Sequence, residues 1–225
     1  MSDLFENSSI LGAEFFKNNE FFENNEFFEN NEVLKNSKNS AKICGIDEAG
    51  RGALAGELAV AGCVFKNDFE FFDLLNDSKK ISEKKREIIF DKITPKCDYI
   101  VVYFRNTIID ELGLSACLAR ALQTIKAHFK GCSFIYDGNC SYGVDGIKTL
   151  IKADSKVAQV SAASIIAKVS RDRSMRAWGQ KYPDFGYEIH KGYGTLLHRK
   201  MLLTHGANEL TRLSFKLKEQ QENLF

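Results

Sequence analysis

Two apolar runs in this chain end in acid. Ile43-Cys44-Gly45-Ile46-Asp47-Glu48 passes straight into Ala49-Gly50-Arg51-Gly52, and Phe134-Ile135-Tyr136-Asp137 turns at Gly138. In open α/β sheets the functional crevice lies beyond the carboxyl ends of parallel strands. If these two runs are parallel neighbours, Asp47 and Asp137 converge there, with Glu48 alongside. A further acid, Asp154, sits between Lys152 and Lys156, ahead of a helical stretch that begins near Ala162. Carboxylates gathered without comparable cations repel, which raises at least one pKa unless a metal neutralises them. Oxygen-only ligands favour Mg²⁺ or Mn²⁺. Two such ions about 4 Å apart would activate water on one side of a phosphodiester and stabilise the leaving oxygen on the other. Each piece also has a plainer reading, because an acid at a strand end is more often a turn former or helix cap. Gly50, Gly52 and Gly56 do not fit G-x-G-x-x-G. The residues alone define a divalent-metal, phosphate-handling site and nothing finer.

The elements that must position these acids follow from periodicity. Lys42–Asp47 and Leu58–Phe65 read as buried strands joined by a Gly-rich turn, and Tyr99–Arg105 as a β-branched and aromatic third strand. Ser133–Asp137 is a fourth. Ser82 caps a helix running to about Ile93, where Pro95 stops it. Ile108–Phe129 reads as one helix with Leu114, Leu118, Leu122 and Ile125 on a stripe. Ala162–Trp178 reads as an amphipathic helix, with Ile165, Ile166 and Val169 inward and Lys168, Arg171, Asp172 and Arg176 largely outward. Strands first, then strand–helix alternation, predict a mixed α/β sheet covered by helices.

The 225 residues suffice for one domain plus an appendage, and 44% hydrophobic with 27% charged is a globular composition. The net charge of +1 hides an asymmetry: residues 1–40 hold eight acids and three bases (−5), leaving 22 acids and 28 bases (+6) for the rest. A mildly basic body suits a polyanion, but many enzymes carry as much. Six cysteines, at 44, 63, 97, 117, 132 and 140, include no pair at CxxC spacing, which points to reduced thiols in a cytoplasmic protein. The longest apolar stretch, Leu58–Phe65, has eight residues. That is far short of the roughly 20 a membrane span needs. The acidic, polar start shows no signal peptide.

Residues 14–35 repeat in hexads: Glu-Phe-Phe-Lys-Asn-Asn, Glu-Phe-Phe-Glu-Asn-Asn twice, then Glu-Val-Leu-Lys. Six helical steps advance about 600°, so the Phe pairs spiral round every face, and in a strand adjacent phenylalanines point to opposite sides. Residues 1–40 are therefore expected to be a low-complexity, mostly disordered extension, and 41–225 the catalytic domain.

Taken together, the motifs resemble the ribonuclease HII family. They are Gly45-Ile46-Asp47-Glu48-Ala49-Gly50-Arg51-Gly52 with Leu54-Ala55-Gly56, Asp77-Ser78-Lys79-Lys80-Ile81-Ser82, Tyr136-Asp137-Gly138 and Lys152-Ala153-Asp154. Ala162–Val169, His190-Lys191-Gly192-Tyr193-Gly194-Thr195 and Leu213-Ser214-Phe215 complete the set, in family order across roughly 41–215. The resemblance implies a ribonuclease H-like fold: a five-stranded mixed sheet with flanking helices and a C-terminal helical segment. It implies a two-metal site, Mg²⁺ or Mn²⁺, on Asp47, Glu48, Asp137 and Asp154. It also implies that the backbone of Gly50, Arg51 and Gly52 reads the ribonucleotide 2′-hydroxyl, the group that separates RNA from DNA. By the same resemblance Tyr193 stacks on the following deoxyribose, and Lys79, Lys80 and Lys168 contact phosphates. The implied substrates are RNA–DNA hybrids and DNA duplexes with embedded ribonucleotides, cut to leave 5′-phosphate and 3′-hydroxyl ends. A monomer without an obligate protein partner and without membrane attachment is expected.

The sequence departs from the family at Ala53 and Glu57, where proline is frequent and whose absence is expected to loosen the turn. It departs again at Thr211, where a histidine is usual, which puts a C-terminal packing contact in doubt. His190 lies beside the substrate motif, while His128, His198 and His205 read as surface or packing residues. Asp172, expected to pair with Lys168 or Arg176, is the main competitor to Asp154. Three rivals remain: a ribonuclease HIII, another nuclease or strand-transfer enzyme of related fold, and a non-catalytic hybrid-binding protein. The first is disfavoured because 1–40 is too short and repetitive for a folded N-terminal binding domain.

Overall fold

The computed structural model describes residues 13–17, 42–76 and 81–215. Its sheet holds β1 (Ala13–Lys17), β2 (Ile43–Ala49), β3 (Leu58–Phe65), β4 (Cys97–Phe104), β5 (Ser133–Asp137) and β6 (Ile147–Leu150), in the order β1-β4-β3-β2-β5-β6. β2, β3 and β4 form an antiparallel meander, whereas β5 runs parallel to β2 and β6 parallel to β5. The body thus supplies the expected five-stranded mixed sheet. Its fifth strand, β6, carries only half-buried and exposed residues, so no apolar run marked it. The sixth strand, β1, lies inside the segment expected to lack regular structure. It pairs antiparallel with β4 from Ala13 opposite Phe104 to Lys17 opposite Ile100. The remainder of 1–41 lies outside the described residues.

β3 is buried along its whole length and its side chains divide by alternation between two cores. Ala59, Ala61, Cys63 and Phe65 face α2 (Glu83–Ile93) and α5 (Ala158–Lys181) through Ile89, Phe90, Ile93, Ile165 and Ile166. The short α1 (Phe72–Asn76) adds Leu75. Leu58, Val60 and Val64 face α4 (Leu114–His128) through Cys117, Leu118, Leu122 and Ile125. Truncating any of these buried aliphatics to alanine costs about 2–5 kcal/mol. Ser82 caps α2 as predicted, its hydroxyl accepting from the Lys85 N–H at 3.3 Å.

Two expectations need correction. The single helix expected over Ile108–Phe129 is two, α3 (Asn106–Leu112) and α4, broken at Gly113, whose φ of 79° lies outside the helical region. On α5, Arg171 and Asp172 are buried rather than outward, 0% and 3% exposed. α5 is not a half-exposed surface helix. It crosses β2 and β3 and is then covered by later chain, so its far face is also interior. The C-terminal helical segment is α6 (Tyr187–His190) and α7 (Leu196–His205). Among the described residues no helix is long and apolar enough to cross a membrane, and all six cysteines are free.

Candidate active site

The parallel pairing of β2 with β5 sets Ile46 opposite Tyr136, so the next residue on each strand is Asp47 on one and Asp137 on the other. Ile46 and Tyr136 face the α4 core, and alternation therefore turns Asp47 and Asp137 toward α5. Asp47 is 9% exposed and accepts the Glu48 N–H at 2.7 Å. Burial, then the charges of Glu48 and Asp137, push its carboxyl well above the usual range, against a hydrogen bond from Ser164 on α5. Glu48 faces the other way. Its Oε2 accepts from the Tyr136 hydroxyl at 2.7 Å and its Oε1 from Arg51 Nη1 at 3.5 Å, while burial raises its pKa. Asp137 Oδ1 accepts the Ala153 N–H at 2.9 Å, which docks the turn Ala153–Ser155, and hence Asp154, against the end of β5.

Asp47, Glu48 and Asp137 therefore interact at the carboxyl ends of β2 and β5, and the turn that carries Asp154 is bonded to Asp137. Among the described residues no three His, Cys, Asp or Glu side chains form a ready-made cage. The donor chemistry nonetheless fits a hard divalent cation: oxygen only, mutually repelling, and partly desolvated. The partners of these carboxylates are protein donors, Tyr136 and Arg51 for Glu48 and the Ala153 N–H for Asp137. Asp172, the other acid weighed against Asp154, is ion-paired with Lys168 at 2.7 Å and Arg86 at 3.7 Å.

The Gly50–Gly52 turn leaves β2 directly beside these acids. Gly50 sits at φ 88°, and a Cβ there would lie 2.0 Å from Arg171 Nε, so only glycine fits. Its N–H donates to the Tyr193 hydroxyl at 3.1 Å. Ala53 bridges to Tyr193, and the Leu54 and Ala55 N–H groups both donate to the Gly192 carbonyl. Lys168 Nζ stands 5.0 Å from the Tyr193 ring centroid, on the same side of the site. Lys79 and Lys80 lie outside the described residues.

At the two departures, 53 and 57, the side chains are packed or hydrogen-bonded. Ala53 is fully buried, and Glu57 Oε1 accepts from Ser174 and from Trp178 Nε1 at 3.0 Å. Thr211 keeps its contact through a bridge to Ala55 and a bond from the Asn208 N–H at 3.0 Å.

The Lys-Gly-Tyr loop is held by histidines whose role the sequence did not disclose. His190 and His198 stack with centroids 4.3 Å apart. His190 Nδ1 accepts the Gly192 N–H at 3.1 Å, so Nε2 carries the proton and donates to the Phe185 carbonyl at 2.7 Å. Burial lowers both pKa values, and the proximity of His190 helps bring His198 to about 4. His128 and His205 are exposed. Sequence reading also missed the two buried arginines, Arg171 and Arg212. The available signal for Arg171 was the run of small residues around α5, which marks a helix enclosed on more than one side.

A mixed sheet with acids at adjacent parallel strand ends, next to a glycine turn tied to a tyrosine, defines a nuclease of the ribonuclease H class. The family model described as Ribonuclease HII matches residues 44–130 and 142–218. Ribonuclease HII of Campylobacter concisus is 56% identical over 187 residues, covering 82% of this chain and 100% of the relative. That of Sulfurovum is 47% identical, covering 80% of this chain and 94% of its own. The RNase HII in the PCNA:RNase HII complex from Archaeoglobus fulgidus superposes with a TM-score of 0.65 at 27% identity, over 80% of this chain and 98% of that one. The chain belongs to the ribonuclease HII family and is an endonuclease of the ribonuclease H type.

Proposed function

We propose that this enzyme hydrolyses the RNA strand of RNA–DNA hybrids and cuts DNA duplexes at embedded ribonucleotides. The observation that carries this reading is the direct continuity of the acid cluster into the Gly50–Gly52 turn, itself bonded to Tyr193. Chemistry and ribose recognition then sit within one strand end of each other. Asp47, Glu48, Asp137 and Asp154 would hold divalent cations, Mg²⁺ or Mn²⁺, which supply a nucleophilic water and charge neutralisation at the phosphodiester. The backbone of Gly50, Arg51 and Gly52 meets the 2′-hydroxyl at close range, since glycine adds no side chain. The Tyr193 ring offers a flat face for the next sugar, and Lys168, with Lys79 and Lys80, offers charge to the flanking phosphates. Water attacks phosphorus, the bond to the 3′-oxygen breaks, and the proton ends on that oxygen, leaving 5′-phosphate and 3′-hydroxyl ends. A monomer acting on nucleic acid in the cytoplasm, without an obligate protein partner, meets these requirements.

The test is Asp47→Asn and Asp137→Asn on a hybrid substrate with end-group mapping. Turnover should fall by about three orders of magnitude or more while the fold persists, because carboxylate placement supplies most of the catalysis. Near-normal turnover in either variant, or 3′-phosphate products from the wild type, would contradict the assignment.

A further inference from the structure

Two buried arginines lie beneath the turn that reads the sugar, and the reaction as derived above uses neither. Arg171 is 0% and Arg212 1% exposed. Arg171 donates from Nε to the Glu57 carbonyl at 2.7 Å, from Nη2 to that of Ala55 at 3.1 Å, and from Nη1 to that of Lys191 at 2.8 Å. Arg212 donates from Nε to the Gly56 carbonyl at 2.9 Å and from Nη1 to that of Arg51 at 3.2 Å. Every acceptor is main chain. Four belong to the segment after β2, and the fifth to the Lys-Gly-Tyr loop.

Buried arginines are ordinarily matched by carboxylates. Here, among the described residues, neither guanidinium makes a direct ion pair: the Glu57 carboxylate, hydrogen-bonded to Ser174 and Trp178, favours both charges only from a distance, as Asp110 does that of Arg212. Burial holds both guanidiniums below their usual range, and the neighbouring Arg171 helps bring Arg212 to about 9. An arrangement that costs this much and is not a salt bridge is accounted for by what it fixes. A guanidinium presents its N–H donors in one rigid plane, so several carbonyls bonded to it keep fixed relative positions. Peptides are planar and trans, so a carbonyl held inward turns the following N–H outward. Arg212, holding the Arg51 carbonyl, thereby aims the N–H of exposed Gly52 away from the core. Arg171 joins that same segment to the loop carrying Tyr193, and its Cζ lies 5.2 Å from the Tyr193 ring centroid.

We propose that Arg171 and Arg212 are positioning residues for ribonucleotide selectivity, locking the Gly50–Gly52 turn and the Tyr193 loop at one fixed spacing. This rests on the ribonuclease reading above. A continuous RNA strand tolerates slack in that spacing, because a slipped register still presents a cleavable linkage. A lone ribonucleotide offers one productive register, and a slip of one nucleotide puts DNA at the acids. The two arginines therefore matter most for the lone ribonucleotide.

The experiment compares Arg212→Lys and Arg171→Lys with the wild type on three duplexes: one ribonucleotide in DNA, a continuous RNA–DNA hybrid, and all DNA. Lysine keeps the charge and loses the planar fork. Activity at the lone ribonucleotide should fall by about tenfold to a hundredfold, as misplacement costs. Activity on the continuous hybrid should change by less than about threefold, and Mn²⁺ affinity should hold. Equal retention of activity on both substrates overturns the proposal, as does an equal loss on both together with Mn²⁺ affinity. A wild type that fails to distinguish the lone-ribonucleotide duplex from all DNA contradicts the ribonuclease reading itself. If the lysine variants do not fold, the native enzyme answers. Without divalent metal, the Arg212 side-chain nitrogen resonances should shift with the lone-ribonucleotide duplex and not with all DNA. No difference between the two duplexes overturns the proposal.

Discussion

The backbone N–H of Gly50 donates to the hydroxyl of Tyr193, 3.1 Å away and 143 residues later in the chain. That bond couples the two parts of the expected sugar reader. Tyr193→Phe keeps the ring and removes one hydrogen bond, and a net loss of about 1 kcal/mol corresponds to about fivefold in cleavage. Tyr193→Ala removes the ring as well and should cost more at a lone ribonucleotide than in thermal stability. Kinetics and melting on both variants check this. A large fall in melting temperature with activity spared would make Tyr193 a packing residue.

Asp47 predicts a pH signature. Its carboxyl is held well above the ordinary range by burial, so the folded state prefers the protonated form. Stability from this group is full below the unfolded pKa of about 3.9 and is lost as pH rises through the raised folded value. In metal-free protein, Asp47→Asn should therefore melt higher at neutral pH, by a few degrees if about 1 kcal/mol is relieved. The advantage should vanish near pH 4. Calorimetry in EDTA across that range decides it, and a variant less stable at neutral pH would contradict the repulsion.

The stacked histidines predict the opposite limb. His198 titrates near 4 when folded, because burial and His190 disfavour its charge. The stability it contributes is present above the unfolded value of about 6.5 and is lost as pH falls through the folded value near 4, by roughly 3 kcal/mol. His198→Gln should lower stability at pH 7 and flatten this acid dependence. An unchanged slope between pH 6.5 and 4 would show that other groups carry it.

The acids were legible because a strand ending in carboxylate, then glycine, is a local pattern that survives without knowledge of the fold. Asp47 and Asp137 needed only the parallel pairing of β2 with β5 to meet. Buried Arg171 was not legible, since a helical wheel assumes one wet face and α5 has later chain over its far side, and Arg212 lies outside any periodic element. β6 escaped because its four residues are at most half-buried and carry no apolar alternation. The break at Gly113 was hidden inside a continuous apolar stripe, which tertiary packing divides between α3 and α4.

The extension is expected to be dispensable for chemistry. Residues 1–40 carry −5, a charge that disfavours a polyanionic substrate, and their described strand β1 lies at the sheet edge, three strands from β2. Deleting them should leave turnover nearly unchanged. It also removes β1 and bares the β4 edge from Ile100 to Phe104, so the fragment should self-associate more as concentration rises. Steady-state kinetics with sedimentation measures both. A large loss of turnover in a folded fragment would show that the extension serves catalysis.

The central claim is that the Gly50–Gly52 turn reads a ribose for acids that need a metal. A DNA duplex carrying one ribonucleotide, labelled at its 5′ end, tests both halves at once. With Mg²⁺ or Mn²⁺ it should give a single cut at the ribonucleotide, with a 3′-hydroxyl on the labelled fragment. With EDTA, or with the ribonucleotide replaced by its deoxy counterpart, it should give none. Cleavage in EDTA, or equal cleavage of the all-DNA duplex, would contradict the account.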